Sequence, residues 1–444
     1  MCNLRLSVLV LALIWLMGTH PAVALNDEPP EVPRARELVN LLIQGKYNQF
    51  VSAGNEVIQR SVTAEHAERL WSAILMRCGE YQGRMTVRTL PTAERRIVGL
   101  ALYFEHAVQP VRVEIDAQGR LAGFWLDPVE MTRPYEPPAY VNPNRYEEQV
   151  VSIPAELPLP ATLTIPLGPG PHPAVVLVQA AGPLDRDSTV GVRRPFRDLA
   201  LGLATSGVAA LRYDRRSLAH RAVAPPEGWS FSSVAVDDTL AALELLRNQP
   251  QIDAKRLYVL GHGLGGMATP HVAERDGRLA GMVIVGCGAR SVLDIMLDES
   301  RYLARLDGVV TARENEQLAR LTQYFSAIRA GRLADVPPTA NIPVKFLAEL
   351  HQLDVLATVG RLKTPVLVVL GGRDFQTTTE DRSLWAQALA GRPQSGFRIF
   401  EDLDHTLVAG SGLASPDDYL QPGHVDAAVI DLLADLVRKP AGEQ

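Results

Sequence analysis

The sequence predicts an α/β protein: a doubly wound, mostly parallel sheet with a helical insertion, preceded by a small α+β domain. Three observations predict it. From residue 147 onward, short and nearly continuous apolar runs alternate with amphipathic stretches, the pattern of parallel strands covered by helices on both faces. Before residue 128 the order differs, with helices first and then strands, as in an α+β unit. At 444 residues, 47% hydrophobic and 21% charged, the chain is long enough for two domains and a large core.

The first residues stand apart from either domain. Met1-Cys2-Asn3-Leu4-Arg5 carries one positive charge, and Leu6 to Met17 is apolar except for Ser7. The small-residue site Ala22-Val23-Ala24 lies just beyond. Charged head, apolar run and A-x-A site predict an export signal over residues 1–24, and therefore a periplasmic or secreted protein. The apolar run is short for a membrane span, which needs about 20 residues. No stable span is expected after cleavage, although an uncleaved anchor is the rival reading.

Residues 35–128 form the predicted α+β domain. Leu38, Leu41, Leu42 and Phe50 make a helical stripe. A second helix opens at Thr63, which is placed to cap it with His66 three residues on. The period then changes, and Met85 to Leu90, Ile97 to Phe104, Pro110 to Ile115 and Leu121 to Leu126 read as strands. Asp116-Ala117-Gln118-Gly119 is a tight turn between two of them. Pro128, Pro134, Pro137, Pro138 and Pro143 make 129–146 a stiff linker, placed to pack on the next domain.

The main domain is predicted over 147–440. Val150 to Ile153 and Ala161 to Ile165 form a hairpin. Further strands are expected at Ala174 to Val178, Gly207 to Tyr213, Leu257 to Leu260, Gly281 to Val285, Thr364 to Leu370 and Ser395 to Ile399. Helices lie between them at Phe196 to Ala204 and Val234 to Arg247. Asp253-Ala254-Lys255 reads as a turn before the strand at 257. Between two late strands, about 289–362 is helical, with Leu293, Met296, Tyr302, Leu303 and Leu306 on one stripe and Leu318, Leu321, Tyr324, Phe325 and Ile328 on another. Pro337-Pro338 breaks the pattern. The insertion sits where strand C-terminal ends meet ligands, so it reads as a candidate lid, with a helical decoration unconnected with function as the blander reading.

Composition excludes some functions. A formal net charge of −6 and the lack of a basic, aromatic-rich block argue against nucleic acid. Of the 3 Cys, Cys78 and Cys287 lie in different predicted domains and are expected as buried thiols. No Cys/His spacing suits zinc, so no metal and no other cofactor is expected.

The informative stretch is Leu260-Gly261-His262-Gly263-Leu264-Gly265-Gly266. It joins a short strand to a helix through a sharp glycine turn, the place where G-x-S-x-G carries a nucleophilic serine. Further segments fall at strand ends in order. They are Gly182-Pro183-Leu184-Asp185-Arg186-Asp187, Arg212-Tyr213-Asp214-Arg215-Arg216, Gly371-Gly372-Arg373-Asp374-Phe375-Gln376 and Asp402-Leu403-Asp404-His405. On these segments the chain resembles the α/β-hydrolases, and most of all secreted carboxylester hydrolases (a group also likened to serine aminopeptidases) with a small domain ahead of the catalytic one.

The resemblance implies an acyl-ester hydrolase acting on a small-molecule ester or related ligand. His405 would be the base, and Asp374 would orient it and stabilise its charged form. The main-chain N–H groups of Leu264 and Ala181 would hold the oxyanion. The chain departs from the family at two places. Gly263 stands at the nucleophile position, where serine is absent, and Gln179-Ala180-Ala181 stands where relatives have His-Gly and a small residue.

Several routes stay open. Serine-type activity is lost or altered. A water set against His405 is one substitute; Cys287 at a strand end is another, and Thr269 on the next helix faces packing. Gly263 itself relieves a turn that strains other residues. The alternative is an inactive homologue that binds an acyl ligand or a protein. His262 reads as a structural or cleft-wall residue, and His424 as part of the last loop. Asp185 and Asp187 read as loop anchors, and Asp214 with Arg215 as a brace.

Overall fold

The computed structural model describes residues 29–91, 96–105, 107–127, 129–131, 135–220, 229–336 and 344–438. The predicted export signal and the Pro337-Pro338 break lie outside these residues. Among the described residues no helix is long and apolar enough to cross a membrane. The described chain divides between Glu136 and Pro137 into two compact units.

The first unit packs helices α1 (Glu31–Ile43), α2 (Tyr47–Ser52), α3 (Glu56–Ser61) and α4 (Ala64–Cys78) on an antiparallel sheet. Its strands β1 (Tyr81–Thr89), β2 (Ile97–Phe104), β3 (Ala107–Ile115) and β4 (Leu121–Leu126) lie in sequence order, and β5 (Glu130–Met131) pairs with β3. The reading of two helices was too coarse. The first stripe ends at Ile43, and Asn55 starts a further helix by accepting the Ile58 N–H. Thr63 does cap α4, bonding the His66 N–H while the His66 ring accepts the Thr63 N–H. Leu38, Leu42, Trp71, Leu100, Phe104 and Val113 are among the buried residues of its core.

The second unit is an eight-stranded sheet with helices on both faces. Its strands are β6 (Tyr146–Ile153), β7 (Leu159–Pro166), β8 (His172–Val178), β9 (Ala209–Tyr213), β10 (Ile252–His262), β11 (Gly281–Val285), β12 (Val366–Gly371) and β13 (Gly396–Phe400). They lie in the order β13-β12-β11-β10-β8-β9-β7-β6. Only β7 runs against its neighbours. The order reverses between β8, β9 and β10, which opens a crevice at their carboxyl ends.

The longer helices outside the insertion are α5 (Pro195–Thr205), α6 (Asp238–Arg247), α7 (Leu264–Asp276), α12 (Thr379–Leu389) and α13 (Ala427–Arg438). The insertion holds α8 (Val292–Arg305), α9 (Ala312–Arg329), α10 (Val344–His351) and α11 (Val355–Arg361). One buried cluster lies on each side of the sheet, because residues such as Val176 and Val259 face one way and Val175 and Tyr258 the other.

One boundary needs correction. Asp253 to Lys255 is not a separate turn but an irregular part of β10, where the register against β8 shifts between Ile252 and Leu257. The Asp253 side chain accepts the Lys255 N–H there and mimics a turn within the strand. The proline-rich 137–146 region is tied to this unit: the Tyr140 hydroxyl donates to Val425 O at 2.8 Å.

Candidate functional site

The site forms at the carboxyl ends of β8, β10, β11 and β12. Strand β10 ends at His262, and α7 begins at Leu264, so Gly263 alone makes the turn. Its φ of 51° and ψ of −114° are open to glycine and strained for other residues. The Gly263 N–H is fixed by Val285 O at 2.9 Å, which holds the turn against β11. A Cβ at Gly263 would lie 3.4 Å from His405 Nε2 and 3.3 Å from the Ala180 Cβ. A side chain at this position would therefore meet the histidine directly.

His405 lies in the loop after β13, and Asp374 comes just after β12. The His405 Nδ1–H donates to Asp374 Oδ2 at 2.9 Å, and both residues are buried. That bond leaves Nε2 as the free basic nitrogen, on the side of Gly263. Burial pushes the His405 pKa down. The Asp374 charge and hydrogen bond outweigh it, with Glu299 and Asp404 adding, so the pKa is raised above 6.5. Asp374 Oδ1 also accepts the Gln376 N–H at 2.8 Å, which fixes the carboxylate.

The loop holding His405 is braced by Asp404, whose role the sequence did not reveal. Its Oδ1 accepts from the Thr406 N–H and hydroxyl, and its Oδ2 pairs with Arg193 Nη1 at 2.5 Å. Leu407, next in line, takes a φ of 64° although it is not glycine. Such a conformation persists only where surrounding bonds enforce it. Gly286, at the end of β11, has a φ of 55°, and a Cβ there would lie 3.0 Å from His405 Nδ1. Glycine at 286 gives the imidazole its room.

His262 is a supporting wall. Its Nε2 donates to His405 O at 2.8 Å, and the two rings lie 4.4 Å apart between centroids. Burial, with the nearby His405 charge, pushes its pKa down to about 3. It therefore stays neutral, consistent with a structural role.

The loop after β8 flanks the turn on the other side. Arg215 is 2% exposed and donates to the Ala180 carbonyl at 2.6 Å, the Gln179 carbonyl at 3.2 Å and the Gly182 carbonyl at 3.4 Å. A planar trans peptide then turns the Ala181 N–H away from Arg215. Leu264 opens α7, so its N–H is one of the uncommitted donors of a helix start. Gln179 is buried and donates its side-chain amide to Tyr213 O, tying the same loop to β9.

The expected brace between Asp214 and Arg215 divides into two. Asp214 pairs with Arg186 at 2.7 Å and accepts its N–H, while Arg215 serves the loop carbonyls. Asp185 accepts from Thr189, and Asp187 pairs with Arg212. His424 bonds Asp198 just before α13. Thr269 donates to Gly265 O within α7. Cys287 is 1% exposed, and burial, with Asp381 and Asp374 adding, raises its thiol pKa far above the ordinary range. That environment removes the thiolate a nucleophile needs. Cys78 and Cys287 are both buried thiols outside any disulfide.

Sequence reading missed Glu299. It sits on the α8 stripe between Met296 and Leu303, and an acid on an apolar face was the available signal.

A sheet of this order, with a glycine turn after its fifth strand and an Asp–His pair from the last two loops, defines the alpha/beta hydrolases. The chain belongs to the alpha/beta hydrolase family, whose profile matches residues 175–421. Within it the chain is esterase-like. It is 31% identical over 399 residues to esterase EstD of Thermotoga maritima, covering 89% of this chain and 92% of that protein. It is 24% identical over 267 residues to a thiohydrolase of Arthrinium phaeospermum, covering 55% of this chain and 83% of the other. Among solved structures, brefeldin A esterase aligns with a TM-score of 0.43 at 16% identity, over 70% of this chain and 81% of that one. Est1E from Butyrivibrio proteoclasticus aligns with a TM-score of 0.42 at 14% identity, over 65% and 99%.

Proposed function

We propose that this chain hydrolyses carboxylic esters without a serine, by delivering a water from His405 to the acyl carbon in the space that Gly263 leaves open. One observation carries the reading: the Asp374–His405 pair is assembled and buried, and Nε2 lies 3.4 Å from where a Cβ on Gly263 would stand. A serine there would take its proton to Nε2 and attack. With glycine, a water on Nε2 takes the same path, and no acyl-enzyme forms. Asp374 stabilises the imidazolium, and the N–H groups of Leu264 and Ala181 receive the negative charge that develops on the carbonyl oxygen. Burial of Cys287 argues against a thiol substitute. The esterase relative supports an ester substrate. The pattern over Met1 to Ala24 supports export to the periplasm or beyond, which the mass of the mature chain tests directly.

The test is hydrolysis of short- and medium-chain acyl esters by the natural protein and by His405→Ala. Loss of a general base lowers turnover by about 10²–10⁴-fold. In the natural protein, hydrolysis falls on the acid side as His405 protonates, at a pH above its ordinary 6.5 because Asp374 raises it. Equal rates in the two proteins would refute the reading. Saturable ligand binding with no hydrolysis, and no effect of His405→Ala, would instead favour a binding protein.

A further inference from the structure

We infer that Glu299, carried by the insertion helix α8, is the general acid that protonates the leaving alcohol, a reading that rests on water attack at Gly263. Helix α8 packs against the segment bearing Asp374. The Tyr302 ring stacks on Phe375 with centroids 5.6 Å apart and planes within 6°. Leu303 packs with Phe375 and Ala414, and the Tyr302 hydroxyl donates to Ala414 O at 2.9 Å. Residues 299, 302 and 303 share one helix face, because residues three and four apart are neighbours. Glu299 thus lies one turn nearer the helix start than the residues fixed on Phe375. The helix begins shortly after Gly286, which borders His405.

Among the described residues, one oxygen of the carboxyl is left without a structural task. Glu299 Oε1 is shielded from solvent and has no hydrogen-bond partner among the described residues. A buried polar atom left unpaired is costly, so a group kept this way invites a functional account. The charged and titratable groups that act on it are His405, Asp374 and the Tyr419 phenol. Burial pushes its pKa up to about 7, against the favourable His405 charge and with the Asp374 charge adding. With a pKa of about 7, Glu299 keeps a protonated fraction near neutrality and interacts electrostatically with the base His405, the division of labour that one-step hydrolysis needs.

The steps balance. The water oxygen bonds the acyl carbon while one of its protons passes to His405 Nε2. The tetrahedral adduct collapses, its bond to the alcohol oxygen breaks, and that oxygen takes the proton of the Glu299 carboxyl. The imidazolium then returns its proton to the Glu299 carboxylate. Ester and water have become acid and alcohol, and both residues are restored.

A good leaving group needs no acid, whereas an alkoxide does. The experiment compares an alkyl ester with the 4-nitrophenyl ester of the same acid, using the natural protein, Glu299→Gln and His405→Ala. We expect Glu299→Gln to lower the ratio of alkyl to nitrophenyl turnover by about tenfold or more and to remove the alkaline limb of the alkyl-ester profile. The ratio does not depend on how much of the variant is folded. His405→Ala lowers both reactions by about 10²–10⁴-fold. An unchanged ratio in Glu299→Gln, with hydrolysis still dependent on His405, overturns the role of Glu299 and leaves water attack standing. Absence of His405-dependent hydrolysis in the natural protein overturns both.

Discussion

Replacing Gly263 exposes what the turn costs. At φ 51° and ψ −114°, a non-glycine residue is strained by about 1–3 kcal/mol. The unfolded chain partly offsets this, since alanine has less freedom to lose than glycine by about 0.4–1 kcal/mol. The new Cβ meets the Ala180 Cβ at 3.3 Å and His405 Cε1 at 3.6 Å, contacts that ask for small adjustments only. Gly263→Ala should therefore destabilise the protein by about 1–2 kcal/mol. Gly263→Ser meets the same strain but gains a hydrogen bond to His405 Nε2, worth about 0.5–1.5 kcal/mol. Serine should thus be the more stable variant, by about 1 kcal/mol. Urea denaturation of the three proteins, carried out on the alkaline side of the His405 titration, reads the differences as shifts in midpoint at constant slope. If both variants were at least as stable as the natural protein, the strain argument would fail. If alanine equalled serine, Nε2 would not be aimed at position 263.

Three further outcomes come from the same geometry. Gly286→Ala combines positive-φ strain with a methyl 3.0 Å from His405 Nδ1, so it should cost about 2–5 kcal/mol and lower ester turnover, read by denaturation and kinetics together. His262 has a folded pKa of about 3, below its ordinary 6.5, so the unfolded state binds its proton first. Its contribution is full above pH 6.5 and is lost as pH falls toward 3, with a slope of up to about 1.4 kcal/mol per pH unit. His262→Gln should flatten that acid limb in denaturation midpoints measured across pH; an unaltered limb would place the sensitivity elsewhere. Arg215→Met removes the donors that fix three loop carbonyls, and in a Gly263→Ser background it should slow labelling by a serine-reactive phosphonate about 10²-fold by releasing the Ala181 N–H.

Much of the main sheet was legible because buried parallel strands leave nearly pure apolar runs. Gly281–Val285 matches its run at both ends, and the Asp374–His405 pair came through the family resemblance that the strand-end segments carry. The turn at Gly263 was readable for the same reason, since a strand, a glycine turn and a helix start each leave a local mark. What depended on distant contacts was not readable. Arg193 pairs with Asp404 across 211 positions, and Arg215 reaches a loop 33 to 36 positions away. Glu299 carries its meaning only through what α8 packs against. The first two helices were merged because the break between them, made at Gly45 with a φ of 69°, interrupts the apolar stripe only briefly, and the short helix capped by Asn55 was passed over.

The most direct test of water attack is the intact mass of the natural protein, quenched during turnover of a slowly hydrolysed acyl ester. The account predicts turnover with no acylated protein and no burst of alcohol, while Gly263→Ser under the same conditions gains the mass of one acyl group. An acyl adduct on the natural protein would contradict it and would mark, by its position, the nucleophile that this site uses instead.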